Sequence, residues 1–82
     1  MGPYTYDPFI RKPQTGKQIL NRLHYLPYSE EKKSEARRLM AIRMAQKVQK
    51  KEIGPDKIDS YLDHSFTSGE AYNILLAVYY MA

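Results

Sequence analysis

The side chains best suited to chemistry cluster in the last third of the chain: Asp59, Asp63, His64 and Ser65. Asp63-His64-Ser65 holds the three residue types of a hydrolase triad, but consecutive helical residues point about 100° apart and cannot hydrogen-bond in series. Asp59 and Asp63 are one helical turn apart and could share an ion with His64, yet a solvated acidic face explains the same spacing. Pro55-Asp56 opens like a metal-nuclease motif, which later needs an acid, any residue and then Lys. Here Asp59, Asp63 and Glu70 are followed two residues on by Tyr61, Ser65 and Tyr72, and no Lys lies beyond Lys57. Gly2, Gly16, Gly54 and Gly69 are scattered singly, so there is no phosphate loop. With no Cys there is no thiolate nucleophile, zinc knuckle or iron–sulfur ligation. His24, beside Leu23, Tyr25 and Leu26, reads as a partly buried helix residue. The expectation is a non-enzymatic binding protein with no catalytic residue, no metal site and no cofactor.

The positive signal is charge. Between Glu35 and Glu52 the sixteen residues Ala36 to Lys51 carry six cations (Arg37, Arg38, Arg43, Lys47, Lys50 and Lys51) and no anion. Met40, Arg43, Lys47 and Lys50 step by three, four and three, which puts them on one helical face flanked by Lys33 and Lys51. Ala41, Met44, Ala45 and Val48 form an adjacent face able to dock on the rest of the domain. Charge is also segregated: residues 1–28 sum to +3, residues 29–52 to +4 and residues 53–82 to −3. An exposed basic stripe is what phosphate contacts require. The candidate nucleic-acid contacts are therefore Lys33, Arg43, Gln46, Lys47, Gln49, Lys50 and Lys51, with Arg11 and Lys12 from the N-terminal arm. A second outcome has the acidic third packing near this helix, so that the charges answer each other. A helix-turn-helix laid over Ile58 to Leu75 fails because Ser68 to Tyr72 offer no Arg or Lys to the groove. The tyrosines are not interleaved with the cations as a base-stacking platform needs, so any nucleic-acid binding would be backbone-directed and weakly sequence-specific.

These residues need elements to position them. Pro3, Pro8 and Pro13 keep residues 1–14 extended. That arm carries Tyr4, Tyr6, Phe9 and Ile10, too apolar for a free tail, so it is expected to lie against its own helices or in a partner's groove, and in the second case these four are the candidate protein-interaction residues. Thr15-Gly16-Lys17-Gln18 has the form of a capping box, with Ile19, Leu20, Leu23 and Leu26 at helical spacing after it. Ser29 is the expected N-cap of a long helix over 30–52, with Glu30 and Glu31 at its positive end and Gly54-Pro55 as its stop. Ile58, Tyr61, Leu62 and Phe66 fit one face of a short third helix, with Asp56, Asp59 and Asp63 on another. Thr67-Ser68-Gly69-Glu70 is a second capping box, opening a segment from Ala71 to Met81 so apolar that it is expected to fill the centre of the monomer or a subunit contact.

The whole reads as an all-α protein: a small bundle of about four helices with an extended Pro/Tyr-rich arm, residues 1–14 forming the arm and 15–82 a single helical domain. Eighty-two residues leave no room for two domains and give a marginal core. Absent cysteines, no apolar leader and no apolar run of membrane length give the expectation of a soluble intracellular, cytoplasmic protein without membrane contact. The leading functional reading is a nucleic-acid accessory protein. The alternative is a protein-interaction module, a small subunit or an inhibitor, docking through its arm and apolar helix. A monomer is favoured over a homodimer.

Overall fold

The computed structural model describes residues 12–81; Tyr4, Tyr6, Phe9, Ile10 and Arg11 lie outside the described residues. The described chain is mostly helical. In order it forms β1 (Gln14–Thr15), α1 (Gly16–Leu23), α2 (Ser29–Gln49), one 3-10 turn (Pro55–Lys57), β2 (Ser65–Phe66) and α3 (Ser68–Tyr79).

Both capping boxes form. Thr15 Oγ1 accepts from the Gln18 N–H at 3.2 Å while Gln18 Oε1 accepts from the Thr15 N–H at 2.9 Å. Thr67 and Glu70 repeat the exchange at 3.1 and 2.9 Å. Thr15 is the last residue of β1 and Thr67 directly follows β2, and the two strands pair antiparallel, Gln14 opposite Phe66 and Thr15 opposite Ser65. This pairing sets the starts of α1 and α3 side by side. Gly16 permits a further close approach: the Lys17 N–H donates to the Leu62 carbonyl at 3.0 Å, and a methyl on Gly16 would run into the Tyr61 carbonyl oxygen.

Four expectations are corrected. Ser29 is the first helical residue of α2 and not its cap; that place is taken by Tyr28 in the left-handed region at φ 59°, with no side-chain cap bond. The helix ends at Gln49, before Gly54 is reached. The Glu52 N–H bonds the Lys47 carbonyl at 2.9 Å and the Lys51 N–H bonds Val48 at 3.0 Å, a Schellman stop with Lys51, φ 62°, in the left-handed position. The short helix expected after Gly54 is only the 3-10 turn and further turns. The pairing of β1 with β2 demands extended backbone at Ser65–Phe66, so Phe66 enters the core from a strand and Ile58 and Leu62 stay 38% exposed.

The last correction concerns the centre of the fold. Both α1 and α3 pack on α2, so α2 is the middle element. The core is Ile19 and Leu23 of α1, Ala36, Met40 and Met44 of α2, Phe66 of β2, and Ala71, Ile74, Leu75 and Val78 of α3. Helix α3 therefore buries one stripe at i, i+3, i+4 and i+7 and turns its other side outward, where Tyr72 (39%), Leu76 (37%) and Tyr80 (82%) remain exposed. Among the described residues no helix is long and apolar enough to cross a membrane.

Candidate functional site

The inward stripe of α2 runs Lys32, Ala36, Met40, Met44, Lys47 and is buried throughout. Sequence reasoning set Met40 and Lys47 on an exposed basic face; Met40 is fully buried and Lys47 is 7% exposed. Two lysines thus bracket an apolar strip. Their methylene stems extend it, and their ammonium groups reach the two ends of α3. Lys32 Nζ donates to the Val78 carbonyl at 3.1 Å and the Met81 carbonyl at 3.3 Å, with Tyr79 at 3.5 Å. Val78 and Tyr79 belong to the last turn of α3 and Met81 lies just past it, at the negative end of the helix dipole, where a cation is stabilising. At the other end Lys47 Nζ bonds Glu70 Oε1 at 2.9 Å, and Arg43 Nε bonds Glu70 Oε2 at 2.8 Å. Helices α2 and α3 therefore lie antiparallel, held at each end by a lysine of α2.

Glu70 is the hub of the second clamp, with only 9% of its side chain exposed. Burial alone pushes its carboxyl up. The hydrogen bonds from Lys47, the Thr67 N–H and Arg43, with the charge of Lys47, outweigh that and bring it down to about 2. His64 completes the cluster: its Nε2 lies 2.9 Å from Lys47 Nζ, and its ring meets Phe66 edge-on at 4.7 Å. Burial and the adjacent ammonium hold the imidazole below its ordinary value, against the pull of Glu70. Neutral His64 then accepts from Lys47. Asp63 pairs with Lys17 at 3.8 Å, while Asp63, His64 and Ser65 all border one pocket of about 300 Å³.

The sequence-predicted phosphate contacts are thus dispersed. Arg43 and Lys47 converge on Glu70, and Gln46 accepts from Arg43 Nη1 at 3.1 Å. Lys33 has a side chain 14% exposed, 3.2 Å from Glu30 and 3.3 Å from Nδ1 of the exposed His24. Lys12, Gln49, Lys50 and Lys51 are exposed, the last three around the C-terminal end of α2. Arg38 pairs with Glu35 within α2. Of the six cations of that run, Arg43 and Lys47 are partnered by an anion from another helix that helical spacing within α2 could not reveal, Arg38 by Glu35 within α2, and Arg37, Lys50 and Lys51 stay exposed.

Sequence reasoning offered the apolar terminal helix as a docking element or subunit contact but did not separate its inward side from its outward one. Gly69, Tyr72, Asn73, Leu76 and Tyr80 share it at spacings of three and four, and no charged residue stands between Ala71 and Met81. Beside it a groove of about 350 Å³ opens between α2 and α3, lined by Leu39, Ile42, Ile74 and Ala77 with Arg43, Gln46, Glu70 and Asn73 at its polar margin. Ile42 on the α2 rim is 42% exposed. The signal was available: Asn73 and Gly69 interrupt the apolar run at one helical phase, while Ala71, Ile74, Leu75 and Val78 recur at the opposite one. No protein-family model, curated protein or solved structure matches the chain.

Proposed function

We propose that the protein is a non-enzymatic interaction module that docks on protein through the outward side of α3 and the adjoining α2/α3 groove. The observation that carries this reading is a charge-free helix face with Tyr72, Leu76, Tyr79 and Tyr80 exposed, continuous with an apolar groove. Soluble proteins seldom leave such a patch without a binding role, and exposed tyrosines supply large contact area with few rotatable bonds. Two clamps of α2 on α3 support it further. They hold α3 by its ends and its inner stripe, which leaves the outer stripe rigid and uncommitted, and a rigid surface loses little entropy on binding. The arm residues Tyr4, Tyr6, Phe9 and Ile10 belong to the same reading as additional contacts.

The test is an apolar reporter dye with the folded protein at low concentration. Parent protein should enhance its fluorescence, and Leu76→Glu should abolish that without loss of helicity. Equal dye binding by parent and variant overturns the reading. The nucleic-acid alternative keeps one supporting observation: Gln49, Lys50 and Lys51 are exposed together where α2 ends. Under it, duplex binding should weaken with salt at a slope of about 0.9 per neutralised phosphate, and Lys50→Gln with Lys51→Gln should remove about two such units.

A further inference from the structure

We infer that the occupant of the α3 face is a second copy of this chain, docked about a two-fold axis with the two α3 helices antiparallel; this rests on the face being a docking surface. Charge is the first argument. Each chain is +4, so two copies repel each other on net. The face from Ala71 to Met81 bears no charge, and the two charged groups at its margin, Arg43 and Glu70, are bonded to each other at 2.8 Å. Two copies can meet here without opposing like charges.

Shape is the second argument. A two-fold interface uses the same patch twice, so that patch must contain both a projection and a recess. Leu76 and Tyr80 project from α3, and the groove beside them, floored by Leu39, Ile42 and Ala77, offers the recess. Antiparallel α3 helices let each copy place its projections in the groove of the other. Gly69 leaves room for the approach: a side chain there would meet nothing closer than Thr67 Oγ1 at 4.0 Å, so no contact within the chain demands a glycine.

Asn73 is the third argument. It lies in the middle of the stripe, exposed, its carboxamide without a hydrogen-bond partner among the described residues. A carboxamide both donates and accepts, so it is complementary to itself, and a single Asn on an apolar helical seam fixes register and stoichiometry by pairing with its own copy.

Sedimentation equilibrium over a concentration series on the parent, Leu76→Glu and Tyr80→Glu tests this. The parent mass should rise from 9.6 kDa toward twice that value, while both variants stay at the single-chain mass with unchanged circular dichroism. Should Leu76→Glu lose helicity, Tyr80→Glu decides, because an 82% exposed side chain is no part of the core. A parent that remains a single chain up to about 1 mM overturns the inference, as does a dimer that both variants retain. The dye separates the two failures: a monomeric parent whose dye binding is still lost in Leu76→Glu leaves the docking reading standing for another protein. A monomeric parent whose dye binding is unchanged removes both.

Discussion

Glu70→Gln tests the clamp that joins α2 to α3 with the least disturbance to anything else. Glutamine has the same shape and serves the same cap, as Gln18 does at the start of α1, so the capping box survives while the charge and the oxygen that accepts from Arg43 Nε are lost. What remains is Lys47, 7% exposed, beside a neutral amide and a neutral imidazole. Two routes give the magnitude. The carboxyl falls from an ordinary 4.5 to about 2, which at about 1.4 kcal/mol per unit, reduced for partial solvent screening, is about 2 to 3 kcal/mol. Removing one partner of a buried pair costs about 3 to 5 kcal/mol. The two meet near 3 kcal/mol, a large share of the roughly 4 to 12 kcal/mol available to a domain of this size. Thermal unfolding followed at 222 nm should show the midpoint lowered by about 12 to 24 °C. Lys47→Met combined with Glu70→Gln should recover much of that, since the stranded ammonium is then gone. A Glu70→Gln protein melting within about 3 °C of the parent would refute the clamp.

Acid should destabilise the fold in two stages, read as the urea midpoint against pH. The depressed His64 contributes stability that is present above 6.5 and lost as pH falls below it; the depressed Glu70 contributes stability present above 4.5 and lost as pH falls toward about 2. Leu75→Ala, at a site 1% exposed, should cost about 2 to 5 kcal/mol, whereas Leu76→Ala one residue on should stay within about 0.5 kcal/mol in the monomer. Gly16→Ala should lower the midpoint although alanine is the better helix former, because its methyl collides with the Tyr61 carbonyl and the tight Lys17–Leu62 contact must open.

Local rules carried the parts of this fold that depend on neighbours in sequence. Thr15/Gln18 and Thr67/Glu70 cap helices as their spacing requires, because a capping box closes within four residues. Where the outcome depends on distant partners, the same rules pointed elsewhere. Tyr61, Leu62 and Phe66 have helical spacing, yet Phe66 is drawn into a strand by pairing with Gln14, fifty-two positions away. Lys47 reads as a solvent cation until Glu70 and His64 arrive from outside α2, and Lys32 until the end of α3 does. A lysine at a buried helical position carries no local mark, since its stem is apolar and its charge is polar. The outward α3 stripe was hidden for the opposite reason. Almost every residue there is apolar, so hydropathy suggested burial on all sides, and the phase of Gly69 and Asn73 is the one sequence mark of the side that the placement of α2 leaves over.

Helix α3 faces its own fold with one side and, as proposed, a partner with the other. Amide ¹H–¹⁵N shifts of the parent protein across a dilution series report on that residue by residue. Concentration-dependent shifts are expected at Tyr72, Asn73, Leu76 and Tyr80 of α3 and at Ile42 across the groove, with Ile19, Leu23, Lys50 and Lys51 unmoved. Shifts confined to Lys50, Lys51 and their surroundings, or no shifts at any concentration, would contradict that arrangement.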